Sequence, residues 1–144
     1  MDLNRFTEKA QQALVDAQHR AGQQGNAQID NEHILAALLD QEPGLAASIL
    51  RKADVSVETL KRKVENELTR LPRVSGDGQE PGLSPRAQRL LRQAEAEAKT
   101  FKDDYVSIEH ILLSLVDDGG AAGRLLKESD VSRDKLMSAL QEVR

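Results

Sequence analysis

Apolar residues recur every three or four positions along this chain rather than in alternation, the signature of helices with one buried face. Phe6, Ala10, Ala13, Leu14, Ala17 and Ala21 trace one side of a first helix. Ile34, Leu35, Leu38 and Leu39 mark a short second helix. Leu45, Ile49 and Leu50 mark a third, and Val57, Leu60, Val64 and Leu68 a fourth. The same succession returns over 83–101, 108–116, 121–126 and 131–143. The expected fold is all-α, with eight helices.

The second set of four repeats the first. At a shift of 83 − 6 = 77 positions, residues 6–41 meet 83–118 with eleven identities, among them Ala10, Leu14, Ala21, Glu32, His33, Ile34, Leu35 and Asp40. Composition alone would give roughly two or three. After one deletion the shift becomes 76, and Asp54-Val55-Ser56 meets Asp130-Val131-Ser132. Caps agree with these boundaries. Ser84-Pro85 reads as an N-cap with proline at the first helical position, and Thr7 should cap the first helix in the same way. Asp30 and Ser107 precede the second helices; Ser56 and Ser132 precede the fourth. Gly25 and Gly44 fall in loops.

Repeat one is therefore assigned to 1–71 and repeat two to 83–144. The connection 72–82 between them carries three glycines and two prolines. A unit of about 70 residues buries only roughly 60% of its surface on folding. The two repeats should share one core and form a single pseudo-symmetric globular domain, monomeric by itself.

Composition narrows the chemistry. The chain has 20 basic and 24 acidic residues, a net charge of −4, and only three aromatics, Phe6, Phe101 and Tyr105. A weakly acidic chain with no basic block is poorly suited to nucleic acid. No cysteine is present, which excludes disulfides, a thiol nucleophile and the usual structural zinc sites. No apolar run is long enough to cross a bilayer. Nothing after Met1-Asp2-Leu3-Asn4-Arg5 resembles a secretory signal, so a cytoplasmic location is expected. There is no phosphate loop, because Gly119-Gly120 lacks a following lysine and hydroxyl. No ATP binding, other cofactor or metal is expected in this segment. His33 and His110 stand at equivalent positions without H-E-x-x-H spacing, and read as packed or hydrogen-bonded residues near helix starts. No catalytic constellation is expected. Glu32 and Glu109 fall in first helical turns, where an acid complements the helix dipole. The alternative to that favoured reading is a pair of exposed acids related by the repeat, each able to accept a cation.

These residues resemble the Clp N-terminal repeat domain carried by Hsp100 AAA+ unfoldases. The resemblance covers the whole chain. It rests on Arg5-Phe6-Thr7-Glu8-Lys9-Ala10, on the two Glu-His-Ile-Leu segments and on the spacing of the repeats. The passage Leu68-Thr69-Arg70-Leu71-Pro72-Arg73-Val74-Ser75-Gly76 is similar to that of the ClpB disaggregases, and the paired Glu-His-Ile-Leu segments are also similar to those of the protease-associated ClpC group; the passage is the more discriminating feature, so the resemblance is closer to the ClpB group.

The resemblance implies a parent that continues into two ATPase modules with a coiled-coil insertion. That parent would form an ATP-dependent homohexamer that threads aggregated protein and works with the DnaK system. This chain would be the front module that captures unfolded polypeptide. The same resemblance assigns substrate engagement to Thr7, Asp103 and Glu109. The ClpC likeness instead implies phosphoarginine or adaptor binding at Glu32 and Glu109. A free-standing helical scaffold is the remaining alternative. Downstream sequence separates the three: a phosphate loop excludes the scaffold, and the length of the ATPase insertion separates the other two.

Overall fold

The computed structural model describes residues 3–41, 43–74 and 80–144. Part of the connection, residues 75–79, and the first two residues of repeat one lie outside that description. Eight α-helices are seen among the described residues: α1 Glu8–Gln23, α2 Asn31–Asp40, α3 Leu45–Lys52, α4 Val57–Leu68, α5 Pro85–Thr100, α6 Ile108–Val116, α7 Ala121–Glu128 and α8 Arg133–Val143. The all-α expectation is met.

α2 and α6 form the centre, and every residue of α6 is buried. Each is apolar around nearly its whole circumference, as a helix surrounded by others must be. The longer α1 and α5 are amphipathic and cover them, α1 on α2 and α5 on α6. The remaining helices pack across the repeat boundary, α3 against α8 and α4 against α7. One continuous core, including Leu35, Leu38, Leu60, Leu91, Ile111 and Leu112, draws on both repeats. Each repeat therefore buries its apolar face against the other.

Helix ends follow the chemistry of their caps. The Thr7 and Ser84 side chains accept from the backbone N–H of Ala10 and Ala87. The four helices α1, α3, α5 and α7 end in the same motif. A left-handed residue follows the C-cap, and the next N–H reaches back to the last turn. The left-handed residues are Gly25, Asp54, Lys102 and Asp130, with φ of 70°, 64°, 61° and 63°. The returning bonds run from Asn26 to Ala21, Val55 to Leu50, Asp103 to Ala98 and Val131 to Leu126, each 2.9 Å. This explains the repeated Asp-Val-Ser: the aspartate tolerates the left-handed turn, the valine returns to the core, and the serine caps the next helix.

Two features escape helical periodicity. Phe6 and Leu83 precede α1 and α5 instead of belonging to them, and each lies in a short parallel pairing. Strand β1, Gln28–Ile29, pairs with β2, Gly82–Leu83. The equivalent pairing is a single bridge between Phe6 and Val106. The repeats are thus clasped twice, each clasp joining the entry of a long helix in one repeat to the entry of a central helix in the other.

Candidate functional site

The second clasp positions Thr7. Its N–H donates to the Val106 carbonyl at 2.9 Å, and the Val106 N–H donates to the Arg5 carbonyl at 2.8 Å. These bonds bring the starts of α1 and α6 together. An open groove of about 440 Å³ lies where they meet, lined by Thr7, Glu8, Lys9, Gln41, Pro43, Leu45, Ser107 and Ile108. Pro43, Leu45 and Ile108 give it an apolar floor, and Thr7 and Ser107 place hydroxyls at its edge. Thr7 is both an N-cap and a groove residue.

Asp103 and Glu109 join the groove through Ser107. Asp103 follows the left-handed Lys102, so the end of α5 sets its place. Its Oδ2 accepts from His110 Nε2 at 2.8 Å and from Arg144 Nη2 at 2.6 Å. His110 Nδ1 accepts the Ser107 N–H at 2.9 Å, so the ring is the tautomer protonated at Nε2. Glu109 accepts from the Ser107 hydroxyl, and its other oxygen lies 3.8 Å from Arg144 Nε. The Arg144 guanidinium carbon also stands 5.1 Å from the centre of the Phe101 ring. The Arg144 hydrogen bond, opposed by modest burial and helped by His110, holds the Asp103 carboxyl below the usual aspartate range.

The equivalent place in repeat one is differently furnished. His33 Nδ1 accepts the Asp30 N–H at 2.9 Å, and its Nε2 faces Asn26 Oδ1 at 2.9 Å. Both histidines thus bridge the end of one helix to the start of the next, as hydrogen-bonded packing residues. Burial pushes the His33 pKa down. Glu32 corrects the exposed-pair alternative: it is 3% exposed, and Glu109 is 8% exposed, so neither is an open surface acid. Glu32 and Asn31 each keep a buried oxygen with no hydrogen-bond partner among the described residues. Burial, and secondarily Asp30, raises the Glu32 pKa. Close by, Asn31, Arg86, Arg89, Asp117 and Asp118 border a second groove of about 520 Å³. This groove is charged where the first is apolar. Glu32 and Glu109 therefore belong to two related places and not to one site.

Periodicity did not signal Pro43, Leu45, Phe101 or Arg144 as neighbours of the site. Only the rarity of aromatics singled out Phe101. Among the described residues, no group of three or more His, Cys, Asp or Glu side chains is arranged to hold a metal ion. No described helix is long and apolar enough to cross a membrane.

The fold of this helical domain is that of solved Hsp100 N-terminal domains. The chain belongs to the Clp repeat (R) N-terminal domain family, whose model matches residues 5–129. More narrowly, it is similar to the N-terminal parts of ClpB chaperones and to Hsp100 N-terminal domains. It is 37% identical over 147 aligned residues to the chaperone protein ClpB of Bacillus anthracis, an alignment covering 100% of this chain and 17% of that relative. The chain thus spans about 17% of the length of the curated relatives it matches. The Hsp104 N-terminal domain from Candida albicans superposes with a TM-score of 0.84 at 28% identity, covering 96% of this chain and 91% of that one. A ClpV N-domain solved in complex with a VipB peptide has a TM-score of 0.76 at 18% identity, covering 93% of this chain and 83% of that one, and shares the fold.

Proposed function

We propose that this chain is the non-catalytic, substrate-engaging module of an ATP-dependent disaggregase, holding extended segments of unfolded or aggregated protein. The observation that carries the reading is the clasp that sets Thr7 beside Ser107 and Ile108 over an apolar groove. Asp103 and Glu109 are linked to that groove through Ser107. An extended chain can lay apolar side chains on Pro43, Leu45 and Ile108 and present basic side chains to the acids. The ClpV N-domain with its VipB peptide is a neighbour of the same fold seen with a peptide; the residues proposed here come from this chain. Binding to one copy should be weak. In a hexameric parent, tethered copies raise the effective concentration to about the millimolar range. ATP, the hexamer, the DnaK partnership and a cytoplasmic location belong to that proposed parent.

The test is an NMR titration with an unfolded model protein, followed by binding to Thr7→Ala and Thr7→Ser, each normalised to its folded fraction. Shifts should centre on Thr7 and on residues 103–112. Thr7→Ser should preserve the cap, whereas Thr7→Ala should lose about 0.5–2 kcal/mol of stability and weaken capture even when folded. Shifts confined to α4 and α8, with normalised capture unchanged in Thr7→Ala, defeat the assignment.

A second reading, phosphoarginine or adaptor docking of the ClpC type, is favoured by the oxygens of Asn31 and Glu32 that find no partner among the described residues near the charged groove. Titration with phosphoarginine separates the two: shifts at Asn31, Glu32 and Arg86 support docking, and their absence removes it.

A further inference from the structure

The arginine cage of repeat two has no counterpart in repeat one. The positions equivalent to Phe101, Asp103 and Arg144 are Gln24, Asn26 and Leu68. Leu68 is buried, and Asn26 Nδ2 donates to the Pro72 carbonyl at 3.1 Å. Repeat one keeps Glu32 in the place of Glu109 but folds in the same way without the aromatic face, the second acid or the cation, so the fold does not require the cage. In repeat two, Phe101 offers a ring face and Asp103 and Glu109 offer carboxylates. This is the combination that suits a planar, delocalised cation better than a compact ammonium. Arg144 fills it from just beyond the end of α8, with its side chain 38% exposed and that of Asp103 24% exposed. Contacts at that exposure are weak and exchangeable.

We propose that Arg144 is an internal placeholder for an arginine side chain of the substrate: an unfolded segment carrying arginine displaces it from Phe101, Asp103 and Glu109. This rests on the substrate-engaging reading above and adds to it a preference for arginine and a release event. When the guanidinium leaves the cage, the chain at Arg144 loses its side-chain tether to the α5–α6 loop. Capture of an arginine-bearing segment thereby loosens the end of α8.

The experiment compares two unfolded peptides with the same apolar sequence, one carrying arginines and the other glutamines at the same places. Each is titrated into the 144-residue chain and into Arg144→Gln, Asp103→Asn and Arg62→Gln. Arg62 is exposed on α4 and controls for the change in net charge. Removing an internal competitor raises apparent affinity by the reciprocal of the free fraction, so Arg144→Gln should bind the arginine peptide about three- to tenfold more tightly. The glutamine peptide should bind unchanged, Arg62→Gln should show no comparable gain, and Asp103→Asn should erase the preference for arginine. In the wild-type chain the Arg144 Nε–H resonance should move with the arginine peptide only. The inference falls if Arg144→Gln binds the arginine peptide no more tightly while the glutamine peptide still binds, or if Arg62→Gln gains as much. Failure of both peptides to bind any folded variant overturns the substrate-engaging reading itself, and this inference with it.

Discussion

Repeats one and two carry the same Glu-His-Ile-Leu tetrapeptide on the same central helix and put it to different uses. In repeat one, His33 bridges Asp30 and a neutral Asn26 in the interior, and Glu32 is buried with one oxygen that finds no partner among the described residues. In repeat two, His110 bridges Ser107 and a charged Asp103, and Arg144 ties both acids to the surface. The tetrapeptide specifies a histidine that closes the start of a helix. What that histidine is connected to depends on the residue seven positions earlier and on the end of each repeat's fourth helix. Duplication preserved the scaffold and left one copy to become a closed interior and the other a charged rim.

The largest effect should come from forcing repeat one into the pattern of repeat two. Asn26→Asp puts a carboxylate where Asn26 is 7% exposed and removes the amide that donates to the Pro72 carbonyl. A buried acceptor facing another acceptor should cost about 2–3 kcal/mol. Chemical denaturation at neutral pH measures it, and a loss below about 1 kcal/mol would mean that the two sites are interchangeable.

Next in size is a pH effect belonging to repeat one. The folded His33 pKa lies below its ordinary value because of burial. The unfolded chain therefore takes up a proton near pH 6.5 that the folded chain refuses. Stability should be fully present above that pH and decline as pH falls through it. His33→Gln keeps an acceptor that can reach the Asp30 N–H, as in an ordinary capping box. Melting profiles between pH 7 and 5 should be flatter for His33→Gln than for the wild type; parallel profiles would show that His33 does not control the decline.

Glu32→Gln should stabilise the chain. The Glu32 pKa is raised by burial and by Asp30. The stability tied to its neutral form is present below the unfolded pKa and lost as pH rises through the folded one. At neutral pH the carboxylate is the penalised form, and the amide should add about 1 kcal/mol, or about 2–4 °C in Tm for a chain of this size. The gain should disappear in acid. A loss of stability at pH 7 would mean that Arg86 satisfies the carboxylate.

The smallest effect is Asp103→Asn. The amide oxygen can still accept from His110, and only a partly exposed pair with Arg144 is lost, so stability should change by less than about 1 kcal/mol. The Asp103 pKa is depressed chiefly by Arg144. Its contribution is present above the unfolded aspartate pKa and is lost as pH falls through the folded one. The variant should melt like the wild type in acid and fall slightly below it at neutral pH. A large loss would make Asp103 a structural residue like Asn26.

The apolar spacing, the caps Thr7, Ser84, Ser56 and Ser132, and the internal identities were enough to read eight helices and their duplication. These signals are local: a capping hydroxyl acts within three residues, and an amphipathic face repeats within four. The family was legible too, because Arg5-Phe6-Thr7 and the paired tetrapeptides are contiguous. The exposure of Glu32 and Glu109 was not, because a first-turn acid reads alike whether solvent or another helix faces it. Nor were the clasps at Phe6–Val106 and Ile29–Leu83, the groove floor of Pro43, Leu45 and Ile108, or the arginine over Phe101 legible. Each joins residues tens of positions apart through a backbone bridge or a side-chain contact, and neither leaves a period in the sequence. The sequence by itself determined the helices, their ends and their duplication, since short-range hydrogen bonds and one-sided burial decide those. Only the tertiary structure decided which helix starts meet, which acids lose their water and which cation fills the rim, since those follow from how two nearly equal halves close on each other.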